Sequence, residues 1–169
     1  MPGSLDLTVE FPASVEEVHS AFGDEHYWLA RLAAFGGSTT LDSLMVDSDG
    51  MVTVATTQDL RRQALPRMVA NVFPAGLKIL RQETWRPIGG RRVRGEVIVR
   101  APGALGAGRA DALLAPRQKG SRLRFTGTIE VKVPLVGGKV ENYVSGQLAE
   151  QIHTMQHFTA AWITENNHR

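Results

Sequence analysis

The stretch GKVENYVSGQLAEQIHTMQHFTAAWITE, residues 138–165, decides the fold of this chain. Its apolar residues Val140, Val144, Leu148, Ile152, Met155, Phe158 and Trp162 recur every three or four positions. At about 100° per residue they form one stripe of an α-helix. Two amides, Gln147 and Gln151, project into that stripe. Burying an unpaired amide costs about 1–3 kcal/mol, so a stripe that only fills a core rarely holds two of them. A helix closing over a cavity uses them to hold the polar end of a ligand. The alternative is that both sit at a helix edge and bond backbone groups or water.

Ahead of this helix the chain reads mostly as strands. Leu5-Asp6-Leu7-Thr8-Val9-Glu10-Phe11 alternates strictly, as a half-buried strand does, and Pro12 ends it. Ser14 and Glu17 make a capping box in front of a short amphipathic helix carrying Val15, Val18, Ala21 and Phe22, which stops at Gly23. Asp24 caps a second helix through Tyr27, Trp28, Leu32 and Phe35, with Gly36-Gly37 as its stop. Residues 39–47 and 51–59 predict a hairpin around Ser48-Asp49-Gly50. Residues 77–86 and 91–100 predict a second across Pro87-Ile88-Gly89-Gly90, and residues 109–117 and 121–133 a third across Gln118-Lys119-Gly120. In the last strand Leu123, Phe125, Ile129, Val131 and Val133 face one side. Arg122, Arg124, Thr126, Thr128, Glu130 and Lys132 face the other, as in a sheet covered on one face and wet on its back. Pro134-Leu135-Val136-Gly137-Gly138 then leads into the long helix. One connection breaks the hairpin rhythm: residues 60–76, where Leu65, Pro66, Met68, Val69, Val72 and Phe73 predict a short apolar helix starting near Pro66. Connections of this length usually have a job.

A chain of 169 residues fits one domain, 1–169, with a substantial core. The absence of cysteine excludes disulfides, thiolate metal sites and thiol nucleophiles. The opening residues lack the basic and apolar regions of a signal peptide, and no apolar run reaches the ~18 residues of a membrane span, so a cytoplasmic protein is expected. Arginine outnumbers lysine 15 to 4, a bias typical of GC-rich genomes. The net charge of +2 hides an asymmetry: residues 81–124 carry ten arginines and one lysine against Glu83, Glu96 and Asp111. A basic half of this kind attracts an anionic surface or ligand.

The element order is strand, two short helices, six antiparallel strands, long helix. It resembles the START-like superfamily, also called helix-grip or SRPBCC proteins, which includes Bet v 1-like folds. The most specific local signals are residues 5–11 with Pro12-Ala13-Ser14-Val15-Glu16-Glu17-Val18, and Val133-Pro134-Leu135-Val136-Gly137-Gly138-Lys139-Val140-Glu141. In detail the chain is similar to an actinobacterial branch of unknown function. The resemblance implies an α+β helix-grip fold: a curved seven-stranded antiparallel sheet, with two short helices after its first strand, wrapped around a long C-terminal helix and enclosing an apolar cavity. Members of the superfamily bind lipids, sterols, polyketides or hormones, and a minority catalyse cyclisation or dehydration. No catalytic motif belongs to the whole superfamily, so no catalytic residue carries over.

The cavity-lining set expected on this basis is Val144, Gln147, Leu148, Gln151, Ile152, Met155 and Phe158 on the long helix, Phe125 and Ile129 on the last strand, Trp28 on the second helix, and Met68, Val72 and Phe73 on a lid formed by residues 60–76. The bland alternative is that these side chains simply fill the interior. His153 and His157, spaced i, i+4 with Glu150 one turn earlier, have the spacing of a divalent-ion site, but on the helical wheel they lie opposite the apolar stripe, so no metal is expected. Asp24, Glu25, His26 and Tyr27 cluster at a helix start. Arg81, Glu83 and Trp85 share one strand face, where an Arg81–Glu83 pair either orients a carbonyl or is a structural ion pair. Alternation does not decide which face is inward there, because Leu80 and Ile79 compete. No nucleophile elbow, phosphate loop or dinucleotide fingerprint is present, and no cofactor is expected. Arg92, Arg94 and Arg100 on one strand, and Arg122 and Arg124 on another, read as a solvated basic face or as a contact for an anionic membrane surface. Nucleic acid is the weaker partner, because outward aromatics for base stacking are missing. The expected function is binding or transport of a hydrophobic or amphipathic small molecule. A cyclase-type enzyme using the same cavity, and an interaction module docking through the basic face, are the alternatives.

Overall fold

The computed structural model describes residues 3–35, 38–101, 106–133 and 136–166. Strand β1 (Gly3–Phe11) leads into helices α1 (Val15–Phe22) and α2 (Glu25–Ala34). Both helices begin on their sequence signals. Ser14 Oγ accepts from the Glu17 amide at 3.1 Å while Glu17 Oε1 accepts from the Ser14 amide at 3.0 Å, so two orphan donors are satisfied reciprocally. Asp24 Oδ1 accepts from the His26 amide at 2.8 Å. Helix α2 ends at Ala34 with Phe35 as its C-cap. The expected stop at Gly36-Gly37 and the turn at Pro134-Leu135 lie outside the described residues.

Strands β2 (Thr39–Val46) and β3 (Val52–Leu60) follow, then a 3₁₀ turn (Arg62–Ala64) and helix α3 (Arg67–Val72), with Pro66 as the α3 N-cap. Strands β4 (Leu77–Ile88), β5 (Arg92–Arg100), β6 (Gly106–Arg117) and β7 (Gly120–Val131) complete the sheet, and α4 (Gly137–Asn166) closes it. The strands pair antiparallel in the order β1-β7-β6-β5-β4-β3-β2. This is the helix-grip architecture: a curved open sheet of seven strands, short helices after the first, and one long C-terminal helix laid across the concave side.

Strand β4 runs two residues into the expected turn, through Pro87 and Ile88. The reason is positional. Pairing with β3 ends at Val52↔Trp85, so beyond Trp85 the strand has a partner only on its β5 side, with Pro87 opposite Val93. A proline without an N–H is tolerated where one edge of the strand is free. The hairpin then turns through Gly90 and Arg91, both at positive φ.

The interior divides into two apolar clusters. The larger one joins Phe11, Val18, Phe22, Tyr27, Trp28, Trp85, Leu114 and Leu123 under α1, α2 and the C-terminal part of α4. The smaller joins Leu65, Val69, Ala70 and Leu77 around α3. Trp85 anchors the larger cluster, 4.9 Å centroid to centroid from Phe22 and 6.3 Å from Phe125. Its ring lies over Gly95, its cross-strand partner, where even a Cβ would collide with the indole.

Helix α4 buries a stripe that differs in part from the one the apolar residues predict. Val140, Ile152, Met155, Thr159 and Ile163 are buried, and so is Glu141. Phe158 and Trp162 are half-buried on the flank, against Tyr27 at 5.9 and 5.3 Å. The polar members of the stripe are satisfied: Thr159 Oγ1 bonds the Tyr27 hydroxyl at 2.6 Å, and Glu141 Oε2 accepts from the Val131 amide at 2.9 Å. The second bond ties the first turns of the helix to the end of β7.

Candidate functional site

Two cavities lie between the sheet and α4, and both lean on the inward face of β4. That face is Leu77, Ile79, Arg81, Glu83 and Trp85; Leu80 points out and is half exposed. A charged pair therefore sits on the covered side of the sheet. Glu83 is only 2% exposed, and both its carboxylate oxygens are occupied. Oε2 accepts from Arg81 Nε at 2.9 Å and Oε1 from Trp85 Nε1 at 3.2 Å.

The larger cavity, about 470 Å³, opens between α2, the β3–β4 hairpin and the middle of α4. Glu83, Arg81 and Thr56 come to it from the sheet, Gln147, Gln151 and Thr154 from α4, and Trp28, Arg31 and Phe35 from the α2 region. Arg31 is the unusual member. It is 8% exposed, and its guanidinium carbon stands 4.5 Å from the Trp28 ring centroid and 5.9 Å from that of Phe35. Such stacking eases the desolvation of a cation. Its Nη1 donates to the Tyr27 hydroxyl at 3.4 Å, and it forms no ion pair with any described residue. In the Tyr27–Thr159 bond either hydroxyl can be the donor. Full burial pushes the Tyr27 phenol above its ordinary range, so it stays neutral.

The smaller cavity, about 90 Å³, is almost wholly apolar and shares Ile79, Arg81 and Ile152 with the larger as a common wall. Phe73, Leu77 and Ile79 reach it from the α3 cluster; Val97, Val99, Phe125 and Ile152 reach it from the main core. Gly106, Gly108 and Gly127 stand in its wall and put no side chain into it. The void thus falls at the seam between two cores, where the strands supply glycine and alanine.

The residues expected to line a cavity distribute over both. Trp28, Gln147, Gln151 and Met155 line the larger, Phe73, Phe125, Ile129, Val144 and Leu148 the smaller, and Ile152 both. Met68, Val72 and Phe158 line neither; Met68 packs in the α3 cluster and Phe158 against Tyr27 and Phe35. Gln147 is exposed at the rim and Gln151 half-buried, so the two amides border the opening rather than sit at the centre of the stripe. Arg31 was not singled out from the sequence. A signal was present: it stands four residues after Tyr27, three after Trp28 and four before Phe35, on their side of the helix.

The remaining groups are more scattered. His153, His157 and Glu150 are exposed on α4, and no three metal-ligating side chains converge among the described residues. Of the cluster at the start of α2, Asp24 serves as the cap and Tyr27 is buried. The outward arginines are exposed but partly neutralised. Arg124 makes a two-pronged pair with Asp6 at 3.2 and 3.0 Å, Arg122 approaches Glu10 at 3.6 Å, and Arg92 donates to the Gly89 carbonyl. The Arg124 hydrogen bonds hold the Asp6 carboxyl below its ordinary range, and Arg91 does the same for Glu16, down to about 2. Among the described residues no helix is long and apolar enough to cross a membrane.

A family model described as a protein of unknown function, DUF2505, matches residues 6–163. The chain belongs to the DUF2505 family. An uncharacterized protein of Mycobacterium tuberculosis is 37% identical over 174 residues, which cover 98% of this DUF2505 chain and 99% of the relative. Among solved structures, a protein of Thermus thermophilus superposes with a TM-score of 0.58 at 17% identity, covering 97% of this chain and 99% of the other. The protein Ara h 8.0201 gives 0.53 at 10% identity over 98% and 99% of the two chains. Norcoclaurine synthase from Thalictrum flavum gives 0.52 at 17% identity over 98% and 88%. At such identities the likeness speaks for the fold alone. It places DUF2505 within the helix-grip architecture.

Proposed function

We propose that this DUF2505 protein binds a hydrophobic or amphipathic small molecule between its sheet and α4. The observation that carries the reading is the pair of adjoining cavities, the apolar one lying at the seam of two cores. Protein interiors pack at a density near ~0.75 and leave few voids larger than a water. A cavity of about 470 Å³ lies within the range of small-molecule sites, roughly 300–1,000 Å³. Desolvation of the ligand supplies the affinity, and a few polar groups at the rim set its pose. Trp28, Phe73, Phe125, Ile129, Val144, Gln147, Leu148, Gln151, Ile152 and Met155 are the contacts proposed from the two linings.

A cyclase-type enzyme is the second reading, favoured by the buried Glu83 beside the larger cavity. Both oxygens of that carboxylate are already engaged, which suits a residue that holds Arg81 better than one that takes a proton. Docking of an anionic membrane through Arg92, Arg94, Arg122 and Arg124 has less support, because Asp6 and Glu10 answer part of that charge. The test is native mass spectrometry of the gently purified protein, solvent extraction of anything bound, and titration with the neutral probe N-phenyl-1-naphthylamine. A discrete added mass or saturable probe uptake is expected. A clean apo mass with no probe uptake overturns the reading.

A further inference from the structure

We infer that the ligand is an anionic amphiphile whose carboxylate is anchored by Arg31 in the larger cavity, with the start of its hydrocarbon chain directed into the apolar one. This rests on the ligand-binding reading above and narrows it to a chemical class. The charges around the cavity carry the argument. Arg81 and Glu83 cancel each other at 2.9 Å, and Glu150 stands exposed at the rim, where water screens it. What remains inside is one guanidinium, more than nine-tenths buried, with no carboxylate partner among the described residues. Guanidinium presents five N–H donors in a rigid fork, and among the described residues only Nη1 is engaged, by a neutral phenol at 3.4 Å. A buried charge is normally paired, and a carboxylate is the planar partner that a guanidinium fork matches. The local net charge of one also matches a single carboxylate better than a doubly charged phosphate.

Around this cation the walls are amphipathic in a fixed order. Thr56, Gln58, Gln147 and Gln151 line the same cavity with neutral hydrogen-bonding groups. Beyond Ile79 and Ile152 the lining becomes Val97, Val99, Phe125 and Leu148. A ligand with its charge at Arg31 therefore finds apolar wall along its tail. A neutral hydrocarbon would fill the same space and leave the cation unpaired.

The experiment compares decanoate with 1-decanol, read by tryptophan fluorescence, since Trp28 stacks on Arg31 and lines the cavity. The wild-type protein, Arg31→Gln and Arg31→Lys are titrated side by side, with far-UV circular dichroism to check folding. Wild type is expected to prefer decanoate by about ten- to a hundredfold, the scale of one charge-assisted hydrogen bond. Arg31→Gln is expected to lose that preference and keep 1-decanol binding; Arg31→Lys keeps the charge without the fork and falls between. Decanoate and 1-decanol binding equally to wild type, or a preference that survives Arg31→Gln, overturns the anchor and leaves the cavity reading standing. Neither probe binding to wild type overturns both. Should Arg31→Gln fail to fold, the wild-type preference and Arg31→Lys still decide. A decyl phosphate arm separates the two anion classes: tighter binding than decanoate would reject the carboxylate assignment.

Discussion

The hydroxyls of Tyr27 and Thr159 meet at 2.6 Å across 132 positions of sequence, joining α2 to the C-terminal part of α4. Both residues are fully buried, so neither hydroxyl has water as an alternative partner. Tyr27→Phe leaves Thr159 and Arg31 Nη1 each short of a partner. A cost of about 1–3 kcal/mol is expected, seen as a fall in Tm of roughly 3–10 °C. Adding Thr159→Val removes the stranded partner, so the double variant should lose less than the sum of the two singles. Strict additivity in thermal melts would show that the bond contributes nothing of its own.

Tyr27 also predicts an alkaline limb. Burial raises its folded-state pKa, so on raising pH the unfolded chain releases this proton first. The stability it contributes is complete below the ordinary tyrosine value, near ~10, and is lost as pH climbs from there toward the raised folded value. Tyr27→Phe should flatten that decline in Tm measured between pH 9 and ~11. A wild-type decline of unchanged slope in the variant would assign it to other groups.

The acid limb has a different origin. Glu16 is depressed to about 2 by the hydrogen bonds from Arg91, and Asp6 is lowered by those from Arg124. Depressed carboxylates stabilise the fold above their unfolded values and lose that contribution as pH falls through the folded ones. An Asp6→Asn, Glu16→Gln variant should therefore differ from wild type near neutral pH and converge with it by about pH 2. Both pairs are exposed, so the difference should be small and should shrink further in ~1 M salt.

Gly108 offers a way to close the apolar cavity without breaking the sheet. A Cβ there would meet Ile129 and the Thr128 carbonyl at 3.5 Å and Val99 at 3.9 Å, which is ordinary contact. Gly108→Val should keep the fold, fill part of the 90 Å³ cavity and reduce uptake of an apolar probe severalfold. Gly95→Ala is the contrast, because its methyl collides with the Trp85 ring. It should lower Tm by the few degrees that about 1–3 kcal/mol of overpacking produces. A melt in which Gly108→Val is the more damaging of the two would reverse this assignment.

Phe73 and Met68 separate the two ends of the 60–76 connection. Phe73 lines the apolar cavity, whereas Met68 packs only within the α3 cluster. Phe73→Asp should weaken probe uptake more than Met68→Asp at comparable Tm. Equal loss would argue that α3 acts as one lid.

These contrasts explain what the amino-acid sequence did and did not disclose. Capping at Ser14 and Asp24, the turn at Ser48-Asp49-Gly50 and the alternation of β7 as far as Val131 are local patterns, written in a few adjacent residues, and they hold in the structure. The inward face of β4 was ambiguous because Ile79 and Leu80 are equally apolar. Register across β3 and β5 turns Arg81 and Glu83 inward, and register depends on partners far along the chain. Helix α4 misled in one respect: its C-terminal half buries Thr159 and places Phe158 and Trp162 on a flank, because Tyr27 offers a hydroxyl to one and an aromatic face to the others. Arg31 was passed over for a related reason. A charged residue on an amphipathic helix reads as surface until three rings are found around it.

The pairing of β1 with β7 has a consequence for how the chain is made. Gly3 meets Ile129 and Phe11 meets Ser121, so β1 waits for β7 to be made before it gains a neighbour. At ~5–20 residues per second that wait lasts roughly 6–25 s. During it β1 is an orphan edge, able to join any passing strand. Asp6 and Glu10 on its outward side make it a poor recruit for the wrong one, since charges on an edge discourage stray pairing. Their later partners Arg122 and Arg124 stand on the strand that eventually claims it. The same carboxylates thus charge the edge of a strand that pairs late and, once it has paired, face the arginines of its neighbour.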